Sequence, residues 1–278
     1  MRKSWINILQ QSAINAFVAI GMTLVIIQGG IDLSVGSTAA LAAVLMGDLM
    51  FKGLPVIPAV LIGLGIGVLC GVINGLLIAI VRLQPFIVTL GTLSLYRAAA
   101  LIYTGGNPIL SVPPTFRAFF TSDIGPLPMP VVLVLIVTGL AWVLLRRTPL
   151  GEYLLAVGGS EEAARISGAP VNLTKISAYA LSGFLAAMAA LVLVGRLGAA
   201  EPILGQQWEL NAIAAAAIGG ASLMGGKGSI TGTLIGAIIL GAMLNGLTLM
   251  NVQAFWQLAA TGVIILLAMV IDRMTRGS

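Results

Sequence analysis

Long apolar runs, separated by short clusters of charge, glycine and proline, set the pattern of this chain. Residues 4–31, 53–81, 98–116, 124–145, 176–195 and 210–226 carry no charge, and neither do residues 228–271. A helix needs roughly 20 predominantly apolar residues to cross about 30 Å of hydrocarbon. With the stretches 33–51 and 83–104 added, the pattern predicts about nine spans. They are 10–28, 33–51, 56–81, 86–104, 129–145, 176–197, 208–225, 229–249 and 255–271. The window 228–271 is twice too long for one crossing, so it holds two, with a turn near Asn251.

Composition narrows the class. Of 278 residues, 59% are hydrophobic and 8% charged, where a soluble domain carries about a quarter charged residues. Too few charges remain to coat a water-facing surface, which excludes an ordinary soluble globule and a disordered chain. There is no histidine and a single cysteine, Cys70. Disulfides, histidine-based metal or haem ligation, and Ser-His or Cys-His nucleophile pairs are excluded with them. The expected fold is all-α, a polytopic transmembrane bundle forming one domain over residues 1–278. It meets the lipid bilayer and no nucleic acid.

Basic residues collect on the cytoplasmic side of membrane proteins. With the C-terminus inside, Arg82, Arg146, Arg147, Arg165, Lys175, Lys227, Arg273 and Arg276 face the cytoplasm. Arg2, Lys3, Lys52, Arg117 and Arg196 fall outside, and Arg97 lies within a span. Residues 146–175, with both Arg146 and Arg147, carry most of the weight. Nine spans then put the N-terminus outside, where Arg2 and Lys3 are unfavoured. Either the first span is not a true crossing or a preceding helix is missing. Trp5–Ile31 is too long for a signal peptide and has no small-residue cleavage site after a short apolar core.

Gly63, Gly67, Gly71 and Gly75 recur every four residues, as do Gly228, Gly232 and Gly236. Such spacing bares a stripe of backbone and lets helices approach closely, so both sets read as packing ridges. The two regions also echo each other, as GVINGLLI at 71–78 and AMLNGLTL at 242–249. The predicted helices run in opposite directions, which suits an inverted repeat with a solute path at its interface; chance similarity in an apolar alphabet explains the echo equally well.

Polar side chains inside a bilayer face a partner or a cavity. Asn74, Asn211, Asn245, Gln28 and Arg97 have no easy exit to water. Interhelical hydrogen bonding accounts for any one of them. Together, the amides suit an uncharged, hydroxyl-rich solute, because they both donate and accept. Arg97 can snorkel outward or pair with Glu209. Asp32, followed by Ser34, reads as a helix N-cap. Asp32, Asp48 and Glu209 each fall near a predicted span end, which gives ion coupling little support.

Residues 220–228, GASLMGGKG, approach a phosphate-binding loop but miss it. Ala221 stands where the pattern needs its first glycine, and Gly228 follows Lys227 where a hydroxyl belongs. If ATP is used, a partner hydrolyses it. Asn172–Thr174 matches a glycosylation sequon, but on the predicted cytoplasmic side.

Between the fifth and sixth predicted spans lies GEYLLAVGGSEEAARISGAPVNLTKI, residues 151–176. A short helix is predicted from Ser160 to Ser167. Ser160 is its N-cap, Glu161 and Glu162 are its first-turn acids, and Gly168 is its C-cap. A short polar helix with no core of its own suggests a docking element, and a solvated loop is the plain alternative. Glu162-Ala163-Ala164, followed after three intervening residues by Gly168, resembles the EAA loop by which ABC importer permeases dock on their ATPase subunits. GGIDLSVGS at 29–37, AVGGSEEAARISG at 156–168 and AIAAAAIGGASLMGGKGSITGTLIGA at 212–237 extend the likeness along nearly the whole chain. They resemble the ribose permease family, part of the group that includes branched-chain amino-acid permeases.

This resemblance implies a multi-pass subunit of the bacterial inner membrane, with residues 146–175 as its cytoplasmic coupling segment. It implies a second permease chain, identical or related, an ABC ATPase subunit and an extracytoplasmic sugar-binding protein. ATP and magnesium belong to the ATPase, and this chain needs no cofactor. The docking role falls on Gly158, Gly159, Glu161, Glu162, Ala163, Ala164, Arg165 and Gly168. The solute implied is a monosaccharide, a ribose-like pentose first, moved by alternating access without covalent chemistry. The alternative is a self-contained carrier or channel for a small neutral solute. A membrane enzyme is disfavoured by the absent histidine. Family members carry a further hydrophobic helix before the segment resembling INILQQSAINA at 6–16, so a misassigned or naturally short start is expected here, with nine spans in place of about ten.

Overall fold

The computed structural model describes residues 2–110 and 112–276, with side chains described for 8–110, 112–270 and 274. The helices run α1 (Arg2–Ile27), α2 (Val35–Phe51), α3 (Val56–Ala79), α4 (Pro85–Thr104) and α5 (Pro114–Thr121). A two-residue hairpin follows, β1 (Asp123–Ile124) antiparallel to β2 (Leu127–Pro128). Then come α6 (Met129–Arg147), α7 (Pro149–Gly159), α8 (Glu161–Ile166), α9 (Val171–Leu197), α10 (Trp208–Ile218), α11 (Ile230–Leu249) and α12 (Ala254–Arg276). Proline opens α4, α5, α6 and α7 in the first two positions, where its missing N–H has no intrahelical partner to lose. Left-handed Gly105 and Gly198 close α4 and α9.

Every predicted span has a helix, but they are not equal. Among the described residues, six helices are long and apolar enough to cross a membrane: α1 from Ile8, α3, α4, α6, α9 and α11. The apolar parts of α2, α10 and α12 are shorter. The predicted span 208–225 is corrected most, since α10 has 11 residues and reaches only about 16 Å at 1.5 Å per residue. It stops at Gly219 because the following chain takes left-handed turns at Gly220, Gly225 and Gly226, with φ of 82°, 85° and 77°, which glycine alone adopts freely. Helix α9 starts five residues before its predicted span, at Val171. The short helices α5 and α7 and the hairpin had no apolar run to announce them.

Helix α1, whose crossing the charge pattern put in doubt, is the central helix. Its apolar window is 83% buried, and that of α9 is 72% buried, against 28–39% for α3, α4, α6 and α11. The side chains of Arg2, Lys3, Arg273 and Arg276, which entered the charge count, lie outside the described residues. Helix α3 lies along α9 through the glycines. A Cβ at Gly71 would overlap the Tyr179 carbonyl, one at Gly67 the Gly183 carbonyl, and one at Gly75 would sit 2.6 Å from Ile176 Cα. Gly63 faces Met46 of α2 at 2.9 Å. The second set divides. Gly228 precedes α11 and meets Ile27, whereas Gly232 and Gly236 face the Gly219 and Ala215 carbonyls.

Two irregular segments enter the bundle from opposite sides. Residues 28–34, joining α1 to α2, come from the side that carries α7 and α8. The Ile31 carbonyl accepts from Thr89 Oγ1 and Tyr179 OH, both at 3.3 Å. Tyr179 is the ninth residue of α9, about 12 Å along its axis. Residues 198–207 enter from the other side, and Arg97 Nη1 donates to the Pro202 and Leu204 carbonyls, at 2.7 Å each. The two segments meet where Gly205 packs on Gly36, the second residue of α2. Irregular backbone at membrane depth is tolerable when protein encloses it, and here α1, α3, α4 and α9 do so.

Candidate functional site

The segment expected to act in coupling contains α7 and α8. Ser160 caps α8 as its pattern predicts, its Oγ accepting from Ala163 N at 3.2 Å. Gly168, at φ 84°, ends it, with Gly168 N donating to Arg165 O and Ala169 N to Ala164 O, the arrangement that satisfies terminal carbonyls. Ala164 packs inward with Val157 and Val171. Glu161, Glu162, Ala163, Arg165 and Gly168 stay exposed. Ile166 is 80% and Leu173 62% exposed.

Glu161 ties α8 to α9, accepting from Lys175 Nζ at 2.5 Å and from Arg165 at 2.7 Å. The Lys175 hydrogen bond, helped by Arg165, holds the Glu161 carboxyl below its usual value near 4.5, against the opposing effect of burial. A depressed carboxyl contributes stability above its unfolded value and loses it as pH falls through the folded one. The tie is therefore expected to persist from pH 8 to 5 and to release only as pH falls below the ordinary carboxylate value near 4.5. The pair is half-exposed, so the effect on overall stability is small. Hydrogen exchange across residues 160–168 checks this, and release already between pH 7 and 5.5 would contradict it.

Gly158 does not point outward. A Cβ there would overlap the Ile27 carbonyl and lie 2.6 Å from Gly226 N, while Gly226 N donates to Ile27 O at 2.8 Å. Gly225 in turn packs on Gly29 and on the Gly158 carbonyl, and Gly226 on Gly159. Three strands of backbone, 27–29, 158–159 and 225–226, thus meet without side chains between them. The GGKG string that mimics a phosphate loop is here a packing joint, with Ser222 N donating to Lys227 O across its turn.

Inside the bundle Asp32 is not the N-cap its pattern suggests. Ser34 holds that position, and Asp32 lies two residues earlier, 1% exposed. Its Oδ1 accepts from Ser34 N at 3.0 Å and Ser34 Oγ at 2.7 Å, and its Oδ2 from Ser182 Oγ at 2.9 Å. Asn74 Nδ2 donates to Ser34 Oγ at 2.8 Å, and Ser37 Oγ to Ser34 O at 2.9 Å. The pairing of Asp32 with Ser182 escaped the sequence reading because a spacing of 150 residues carries no local signal; the GGIDLS turn was the only clue.

The predicted polar set is not one cluster. Asn74 joins the Asp32 network, fully buried. Gln28 is buried at the end of α1, whereas Asn211 and Asn245 are half-buried on α10 and α11. The echoed pairs differ too: Gly75 abuts Ile176, but a Cβ at Gly246 would meet nothing within 4 Å. Arg97 neither snorkels nor forms an ion pair with Glu209 among the described residues; it serves the two loop carbonyls. Among those residues no group of His, Cys, Asp and Glu is placed to hold a metal.

Comparison with known proteins gives this geometry its context. The chain is 44% identical to the ribose import permease protein RbsC of Bacillus subtilis over 270 residues, 96% of this chain and 84% of the relative. It is 41% identical to the fructose import permease protein FrcC of Rhizobium meliloti over 278 residues (97% and 77%). With the D-allose transport system permease protein AlsC of Escherichia coli it shares 38% over 269 residues (96% and 82%). No solved structure matches the chain. The family model described as "Branched-chain amino acid transport system / permease component" matches residues 4–270. Helical architecture, relatives and family model agree, and this multi-pass membrane protein belongs to that permease family.

Proposed function

We propose that this chain is the membrane-spanning permease subunit of an ATP-binding-cassette importer that brings a monosaccharide, a ribose-like pentose first, into the bacterial cytoplasm. Likeness over 96% of the chain to a ribose import permease carries this reading. The relatives are named for ribose, fructose and D-allose, all neutral monosaccharides. The subunit moves its solute without covalent chemistry. It works in the inner membrane with a second permease chain and receives sugar from an extracytoplasmic binding protein.

The ATPase, which holds ATP and magnesium, docks on α8. Ile166 and Leu173 are large apolar side chains left open outside the predicted spans, beside exposed Glu162 and Arg165, as an interface requires. Displacement of α8 reaches the membrane interior through the Gly158 joint, which touches the end of α1 and the start of the 28–34 turn. Alternating access follows when that turn, with Asp32 inside it, shifts against α9.

Changing Glu162 to alanine and Gly168 to valine together is expected to abolish co-purification with the ATPase while leaving the helical bundle folded. Valine is strained at the φ of 84° that Gly168 adopts. Undiminished association would remove α8 from the interface. The purified chain alone, in liposomes, is expected to move no labelled pentose; uptake without ATP or partners would favour the self-contained carrier.

A further inference from the structure

The place where the two irregular segments meet is hollow. A cavity of about 380 Å³ opens there, lined by Ser37 of α2, Leu93 and Arg97 of α4, Gln206 and Gln207 of the 198–207 segment, and Glu209 of α10. The geometry points to this cavity as a transit site that binds a neutral monosaccharide through its hydroxyls. The inference rests on the function proposed above and assigns the residues that grip the sugar.

Four observations carry it. The first is the lining, which is polar in a bundle whose long helices are overwhelmingly apolar. It offers donors from Arg97 and both glutamine amides, and acceptors from Glu209, the amide oxygens and the Ser37 hydroxyl, whose own proton goes to Ser34 O. A ring of vicinal hydroxyls needs both kinds at close quarters. The second is charge: one guanidinium and one carboxylate face the same space without forming an ion pair among the described residues, so their charges balance. A neutral solute fits, whereas a sugar phosphate finds no second cation.

The third is backbone. Gln207 adopts φ 66°, a left-handed conformation that is strained for a non-glycine residue and concentrates at functional sites. Arg97 and the Gly36–Gly205 approach hold it there, aiming the amide at the cavity. The fourth is depth. Arg97 lies seven residues, about 10 Å, from the end of α4, and Ser37 is in the first turn of α2, which begins inside the bundle. Interrupted helices that meet near mid-membrane are where transporters hold their solutes. From the cavity floor the chain of contacts continues inward, Ser37 to Ser34 and Ser34 to Asp32.

A branched-chain amino acid is the competing solute, since Arg97 and Glu209 could take its carboxylate and ammonium. Leu93 is the only apolar residue in the lining, which leaves an isobutyl group without a pocket.

Trp208, between Gln207 and Glu209, supplies the reporter once Trp5, Trp142 and Trp256 are replaced by phenylalanine. Millimolar D-ribose is expected to shift Trp208 fluorescence saturably in the purified full chain, and L-leucine and ribose 5-phosphate are not. Glu209→Gln, which keeps the shape, is expected to weaken the ribose response about tenfold, as the loss of one charged acceptor does. Gln207→Gly deletes the amide while relaxing the backbone, so it folds at least as well, and the same weakening is expected. A leucine response in place of ribose, or ribose curves identical in both variants and the parent, would overturn the site. In liposomes holding the complete importer, parental import of labelled ribose with unchanged KM and kcat in both variants would overturn the site alone. An importer that moves no monosaccharide would overturn the functional reading and the site with it.

Discussion

Replacing Gly71 with leucine is expected to leave no folded chain to purify. Gly71 lies where α3 presses on α9 and its Cα faces the Tyr179 carbonyl, so that even a methyl group would overlap that oxygen and come 2.9 Å from Ala180 Cα. The obstacle is backbone on a buried helix, which cannot rotate aside as a side chain does. Ordinary overpacking costs about 1–3 kcal/mol; four heavy atoms driven into a helix backbone exceed that and threaten a total stability of about 5–15 kcal/mol. Gly65, on the same helix, is the control, because a Cβ there meets nothing within 4 Å. Gly65→Ala is expected to be neutral or to stabilise by up to about 1 kcal/mol through helix propensity. Size-exclusion profiles and thermal midpoints in detergent report both, and a monodisperse Gly71→Leu protein with parental thermal stability would refute the close α3–α9 contact.

Asp32→Ala is expected to be nearly as damaging, and Asp32→Asn mild. Alanine strips the acceptor from Ser34 N, Ser34 Oγ and Ser182 Oγ at once, inside a region that water does not reach. Each stranded donor costs about 1–3 kcal/mol, so the turn loses its hold on α9 and thermal stability collapses. Asparagine keeps Oδ1 for both Ser34 donors and turns its amide toward Ser182 Oγ, which can accept. Retained folding in Asp32→Asn, with loss in Asp32→Ala, identifies a hydrogen-bonding hub that needs no charge. Equal loss in both would show that the carboxylate itself is required, and equal tolerance would show that the turn is held by packing alone.

Much of the bundle was legible because apolar length is a local property. The helices α3, α4, α6 and α11 match their predicted spans to within two residues, since lipid demands an uninterrupted run and charge ends it. The α8 helix was equally readable, because Ser160, Glu161, Glu162 and Gly168 carry cap chemistry that acts within one turn. The glycine ridges were visible as spacing, although which helix each one meets was not. Asp32 was misread for the same reason that caps are readable: an Asp-x-Ser near an apolar run has a good local explanation, and the partner of its second carboxylate oxygen, Ser182, lies 150 residues away.

Membrane class, helical content, the exposed α8 helix and the permease family follow from the order of residues alone, through apolar run length, cap chemistry and long specific strings. Tertiary structure decided that α1 is the centre, that 28–34 and 198–207 enter the bundle from opposite sides, that Asp32 is buried inside it, and that Arg97 holds the 198–207 segment. The physical reason is that hydropathy averages over a window. An irregular, glycine-bearing segment scores alike whether it crosses open water or lies at mid-membrane with its carbonyls held by Arg97, Thr89 and Tyr179. Only the partners of those backbone groups tell the two apart, and the fold alone brings them together.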